Sequence, residues 1–137
     1  MNCIFCKIIK GEIPAEKIYE NEYVIAMLDT NPRAAGHTIV IPKIHVPTLF
    51  ELPDDEIDPF FKAVKHVSRR IYKALHPAGL TMGLNHGEAS GQTVDHLHFH
   101  IIPRFEEDGG GSIQSVVNNP PERKLSEVAE RIRRAGE

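Results

Sequence analysis

His96-Leu97-His98-Phe99-His100-Ile101-Ile102 is the stretch on which the reading of this chain turns. Side chains alternate between the two faces of a β-strand, so this pattern puts three imidazoles on one face and Leu97, Phe99 and Ile101 on the other, toward a core. Neighbours in such a row stand about 7 Å apart, and at an effective dielectric near 20 two protonated rings repel by roughly 2 kcal/mol. The spacing therefore favours neutral rings. A neutral imidazole, with an ordinary pKa of about 6.5, serves as nucleophile, proton carrier or metal ligand. A solvated polar face explains the row poorly, because three histidines in register are an unusual way to make one.

Working outward, residues 94–103 read as one strand and residues 80–85 as the strand before it. The polar loop between them carries Gly87 and Gly91 directly ahead of the histidines. Upstream, Ile57, Phe60, Phe61, Val64, Val67, Ile71 and Leu75 recur at helical spacing until His76-Pro77-Ala78-Gly79 ends the pattern, which predicts one long helix. Residues 37–42 form a strand with the apolar centre Ile39-Val40-Ile41, and residues 17–20 and 23–28, separated by Asn21 and Glu22, form a hairpin. A short helix over residues 3–10 closes at Gly11, and an amphipathic helix covers residues 124–135. Residues 106–111 read as flexible. The order α-β-β-β-α-β-β-α, with hairpin-length links, predicts an α+β domain on a mostly antiparallel sheet.

A chain of 137 residues suffices for one domain that buries about two thirds of its unfolded surface, so residues 1–137 are expected to form a single domain. Sixteen basic and nineteen acidic residues give a net charge of −3 without a basic run, which argues against nucleic acid as a partner. The N-terminus lacks the regions of a signal peptide, and no apolar run approaches the ~20 residues of a membrane span. A cytoplasmic protein without a membrane partner is expected, in which Cys3 and Cys6 are metal ligands or redox thiols rather than a disulfide.

The pieces resemble the histidine triad (HIT) family, whose mark is His-x-His-x-His followed by two apolar residues. Cys3-Ile4-Phe5-Cys6-Lys7-Ile8-Ile9, Gly11-Glu12-Ile13-Pro14, Leu28-Asp29, Gly36-His37-Thr38, Ile41-Pro42-Lys43 and Gly91-Gln92-Thr93-Val94 are similar to its other landmarks, so the likeness spans residues 3–104. It resembles bacterial and archaeal Hit-like nucleotide hydrolases of the Hint and Fhit superfamily. The resemblance implies a five-stranded antiparallel sheet with one long helix and short N- and C-terminal helices, with residues 105–137 a C-terminal extension, and a homodimer. It implies hydrolysis or nucleotidyl transfer at the α-phosphate of purine nucleotide conjugates, with His98 the nucleophile that forms a nucleotidyl-histidine intermediate. His98 would hold its other ring nitrogen on a backbone carbonyl near the third histidine. His100 and His37 would donate to the non-bridging phosphate oxygens.

By the same resemblance, Asp29 accepts the ribose hydroxyls, Ile4, Phe5, Ile8, Met27 and Leu28 form an apolar slot for the base, and Asn85, Gln92 and Thr93 surround the phosphates as neutral donors. Read without it, Asp29 is a turn-initiating residue and the apolar set is ordinary core. Thr93 stands where Hint-like members often carry Ser and Fhit-like members carry Thr. Cys3-x-x-Cys6 has the spacing of half a zinc site; the resemblance completes it with His45 and His96 as a closed, structural Zn²⁺ site. Two other readings fit the same residues: a metal-dependent hydrolase using the His-x-His strand, and a nucleotide-binding regulatory module with little turnover. Leaving-group selectivity is assigned to Arg104 and the segment after it, between a phosphoramidate amine and a nucleoside polyphosphate.

Overall fold

The computed structural model describes residues 2–136. Helix α1 (Ile4–Ile9) leads into strands β1 (Lys17–Glu20), β2 (Val24–Leu28) and β3 (Thr38–Pro42); helix α2 (Asp54–Leu75) then crosses to β4 (Gly79–Gly83) and β5 (Phe99–Arg104), and α3 (Leu125–Ala135) follows. Short 3₁₀ turns occupy Leu49–Glu51, Glu88–Ser90 and Ile113–Val116. The five strands form one antiparallel sheet in the order β1-β2-β3-β5-β4. This is the α+β architecture expected.

The sheet is covered differently on its two faces. Val24, Ala26, Val40, Leu97 and Ile101 point to Phe60, Ala63, Val64, Val67 and Ile71 of α2. Ile25, Met27, Ile39 and Ile41 meet Phe5 and Ile8 of α1 on the other face. β2 and β3 therefore bury both faces, which explains their continuous apolar runs. Helix α2 begins at Asp54, ahead of the apolar periodicity, because Asp54, Asp55 and Glu56 favour the positive end of the helix dipole. Gly36, at φ +87°, leads into β3 where a Cβ would stand 2.4 Å from the Leu75 side chain and 3.2 Å from Pro103. Only glycine satisfies both the turn and that packing.

Two sequence expectations are corrected here. The last strand starts at Phe99, not at residue 94, so of the three histidines only His100 lies on the strand. The β3–β5 register pairs Thr38 with Ile101 and Val40 with Phe99; continuing it sets Leu97 against Pro42, which has no N–H to give. The Leu97 N–H bonds instead to the Val46 carbonyl at 2.7 Å. Facial alternation survives: Leu97 and Ile101 still enter the core under α2. The second correction concerns the stretch after β5, expected to be flexible. Arg104 holds both Asp108 carboxylate oxygens at 2.8 and 3.0 Å and the Thr81 hydroxyl at 3.1 Å, and it also bonds the Gly111 carbonyl. That guanidinium keeps the Asp108 carboxyl well below the usual carboxylate range. No residue of α3 is buried, and no helix among the described residues is long and apolar enough to cross a membrane.

Candidate active site and metal centre

Hydrogen bonds set the tautomer of each histidine in the row. His98 donates Nδ1–H to the His96 carbonyl at 2.7 Å, which leaves its Nε2 with an in-plane lone pair. The acceptor thus belongs to the first histidine of the row, not to the neighbourhood of the third. His37 accepts the Arg33 backbone N–H on Nδ1 at 3.0 Å, so its proton sits on Nε2, which donates to His100 Nδ1 at 3.0 Å. His100 in turn carries its proton on Nε2. The row presents one unprotonated nitrogen beside one N–H donor, on rings whose centroids are 5.2 Å apart. Burial, with smaller contributions from His98 and His37, pushes His100 down to about 4, and burial also lowers His37. Both rings stay neutral near pH 7. The one proton of the neutral His37 ring is given to His100.

A cavity of about 470 Å³ opens beside these rings. Ile4, Phe5, Ile8, Met27, Leu28, Asp29, Asn85, Thr93, His37, His98 and His100 all line it. Phe5, Ile8 and Met27 are buried core, whereas Ile4 and Leu28 are 49% and 38% exposed, an apolar surface facing open space. Phe5 stands edge-on to the His98 ring at 5.2 Å. Asp29 does two things: Oδ1 accepts the Asn31 N–H at 2.8 Å, capping the turn, while Oδ2 lies 3.5 Å from His37 Nε2 and 3.9 Å from His100 Nδ1. The turn reading holds for Oδ1, while Oδ2 faces the histidine pair on the cavity wall.

Of the residues expected around the nucleotide, Gln92 is the one that does not line this cavity. Its Oε1 accepts the Gly87 N–H at 2.8 Å and its Nε2 donates to the Pro47 and Val94 carbonyls at 2.7 and 3.0 Å. The amide is consumed in holding the loop. Gly87 (φ +87°) and Gly91 (φ +105°) supply the left-handed backbone that brings this loop round. Arg33 lines the cavity and was not foreseen. Its contribution to His37 is a backbone N–H, which no side-chain pattern reveals.

On the far side of His96 lies a second cluster. Cys3, Cys6, His45 and His96 bring four donor atoms within 4.8 Å of one another. Cys6 Sγ is 3.2 Å from His45 Nδ1 and 3.7 Å from His96 Nδ1, Cys3 Sγ is 3.6 Å from His96 Nδ1, and the two Nδ1 atoms are 3.2 Å apart. Tetrahedral zinc, with bonds of about 2.3 Å to sulfur and 2.0–2.1 Å to nitrogen, needs edges of roughly 3.3–3.6 Å between such atoms. The donor set fits. His96 donates Nε2–H to the Pro42 carbonyl at 2.9 Å, so its Nδ1 lone pair faces the cluster, and both cysteines are free thiols. Burial and the adjoining Cys3 raise the Cys6 thiol, a penalty that a dication removes.

Asp29, His37 and His100 also form a compact trio of potential ligands. The Arg33 N–H on His37 Nδ1 argues against a metal there, because a ring bound through Nε2 would have to hold its proton on Nδ1, against another donor. His37 and His100 form a hydrogen-bonded pair, with Asp29 Oδ2 beside it.

Comparison with known proteins supplies the family to which this fold and its histidine row belong. The model of the HIT domain matches residues 10–107, more than half of the chain. A crystal structure of a HIT family member from Bacillus subtilis superposes with a TM-score of 0.87 at 41% identity, covering 98% of this chain and 96% of that one. The adenosine 5'-monophosphoramidase of Saccharomyces cerevisiae is 42% identical over 108 residues, 79% of this chain and 66% of the relative. A Zn-bound histidine triad family protein from Mycobacterium smegmatis has a TM-score of 0.74 at 33% identity, covering 98% and 92% of the two chains. The chain belongs to the HIT family.

Proposed function

We propose that this protein is a nucleotide hydrolase that cleaves purine nucleotide conjugates at the α-phosphorus through a nucleotidyl intermediate on His98. The observation that carries this reading is the His98 ring: its proton is tied to the His96 carbonyl, and its free Nε2 belongs to a ring on the cavity wall. In the first step His98 Nε2 bonds to phosphorus and the leaving group departs with the bond's electron pair. In the second, water's oxygen replaces the histidine. His100 Nε2–H donates to a non-bridging oxygen as charge builds there, and His37 holds His100 in that tautomer. Asp29 Oδ2 accepts from the ribose hydroxyls, Ile4, Phe5, Ile8, Met27 and Leu28 sandwich the base, and Asn85 and Thr93 add neutral donors around the phosphate.

Hydrolases in the family support the reaction class, and the phosphoramidase name of the yeast relative favours a phosphorus–nitrogen bond over a phosphoanhydride. Cys3, Cys6, His45 and His96 hold a structural Zn²⁺ that, when bound, fixes α1 against the catalytic segment. Thiolate ligands suit the reducing cytoplasm. A second copy pairs along the outer edge of β4, making a homodimer, and residues 105–137 extend the single HIT domain. The test is hydrolysis of adenosine 5'-phosphoramidate by the wild type and by His98→Ala: the reading predicts loss of at least a thousandfold in kcat, and equal rates refute it.

A further inference from the structure

A cavity of about 600 Å³ opens onto the cysteine–histidine cluster, next to the cavity that the histidine row lines. Cys3 and His45 stand in its wall beside the polar Asn2, Lys7 and Asp95 and the apolar Ile13. Cys6 does not line it. Of the two thiols, this cavity therefore reaches the more deeply placed one, Cys3. Asn2, Lys7 and Asp95 have no part in the nucleotide site. A polar wall with a sulfur set into it suits a small hydrogen-bonding molecule.

Cys3 and Cys6 are also placed to react with each other. Cys3 is the N-cap of α1, with an extended backbone (φ −114°, ψ 123°) and no side-chain capping bond, so its Sγ turns without cost to the helix. Its carbonyl accepts the Lys7 N–H at 3.1 Å, and Cys6 lies in the turn this bond closes. The two Sγ atoms are within 4.8 Å of one another, and both thiols are free. Two cysteines three apart at a helix start, with a lysine beside them, have the spacing and the charge environment of a reactive Cys-x-x-Cys pair. Holding a metal and holding each other are exclusive states, because a metal ligand must be a thiolate and a disulfide sulfur is not one. Closing the pair removes two of the four donors at once.

We propose that Cys3 and Cys6 are a peroxide-oxidisable pair: hydrogen peroxide entering this cavity converts the two ligand thiolates to a disulfide and frees the metal. The inference rests on the zinc reading above and goes beyond it. Cys3 Sγ attacks one peroxide oxygen and the O–O bond breaks. The sulfur becomes a sulfenic acid, and the other oxygen leaves with the electron pair as hydroxide. Cys6 Sγ then attacks Cys3 Sγ, the S–O bond breaks, and a second hydroxide leaves with that electron pair. Two electrons pass from the sulfurs to the peroxide, whose oxygens end as two hydroxide ions that the buffer protonates to water. An excess of thiol reverses the change by thiol–disulfide exchange. The turn that closes carries Phe5, edge-on to His98 at 5.2 Å, so the oxidation acts on a wall of the first cavity.

The experiment treats the full chain, its zinc first counted by metal analysis, with a few equivalents of hydrogen peroxide. A chromogenic chelator follows zinc release, and peptide mass mapping follows the cysteines. The expected result is one zinc freed per chain, a Cys3–Cys6 disulfide two hydrogens lighter than the dithiol, and rebinding after excess 2-mercaptoethanol and added zinc. Cys6→Ser, which cannot close the bridge, is expected to collect a dimedone adduct on Cys3. Ile13→Phe, which narrows the cavity and keeps all four ligands, is expected to slow release roughly fivefold or more. Zinc retained under peroxide, or release with no Cys3–Cys6 disulfide, overturns the redox pair while leaving the zinc reading intact. Release unslowed in Ile13→Phe together with no adduct on Cys3 in Cys6→Ser overturns it too, since the attack then falls elsewhere. A chain that carries no zinc and takes up none when it is added overturns the zinc reading and this inference together.

Discussion

His98 Nδ1, 2.7 Å from the carbonyl oxygen of His96, donates its N–H there, and the His96 ring faces Cys3, Cys6 and His45 with its Nδ1. The residue that sets the tautomer of the proposed nucleophile is therefore also a member of the cysteine–histidine cluster. Phe5, between the two cysteines, stands edge-on to both rings, 5.7 Å from His96 and 5.2 Å from His98. Cluster and cavity share one wall.

Zinc removal should be felt at both places. Cys3→Ser/Cys6→Ser is expected to lose bound zinc, to lower Tm, and to reduce kcat at temperatures where the variant remains folded. Metal analysis, thermal melts and steady-state kinetics check this, and a zinc-free variant with wild-type Tm and kcat contradicts it.

Asp29→Asn keeps an Oδ1 to cap the Asn31 N–H but removes the charge at Oδ2. Losing charge-assisted bonds to the ribose should cost about 1.5 kcal/mol or more, roughly a tenfold rise in KM for a ribonucleotide. A 2',3'-dideoxy analogue should show little difference between variant and wild type. A KM unchanged for the ribonucleotide argues against ribose binding at this residue.

Gln92→Ala leaves the Gly87 N–H and the Pro47 and Val94 carbonyls without their side-chain partner. The expected cost is about 1–3 kcal/mol of stability, seen as a lower urea midpoint. An unchanged midpoint shows that the loop holds without it.

Acid should destabilise the fold through the buried histidines. In the unfolded chain a histidine takes up its proton near pH 6.5, whereas folded His100 resists until about 4, and folded His37 is lowered too. The unfolded state then binds more protons, so the stability present above about pH 6.5 drains away as pH falls toward 4. His100→Asn, which can still accept from His37, should show a shallower fall in Tm over that window; an equal slope places the acid sensitivity elsewhere.

Much of this was legible in the residues, because period and punctuation act locally. Alternation in His96 to Ile101 foretold which side chains face the core, and Cys3-x-x-Cys6 foretold half of the cysteine–histidine group. What escaped depends on partners distant in the chain. The strand begins late because Pro42 denies Leu97 a donor, a fact about register rather than propensity. Gln92 looks like a ligand donor until Pro47, 45 residues away, takes its Nε2–H. Arg33 acts on His37 through a main-chain N–H. Glycines at 109–111 read as loose, yet one arginine from the end of β5 pins the segment.

The most direct test of the central claim is rapid-quench mass spectrometry of the protein during turnover of adenosine 5'-phosphoramidate, followed by peptide mapping under alkaline conditions that preserve phosphorus–nitrogen bonds. The account predicts an adenylyl group on His98, formed and lost at rates compatible with kcat and absent in His98→Ala. Turnover with no adduct on His98, or an adduct on another residue, contradicts it.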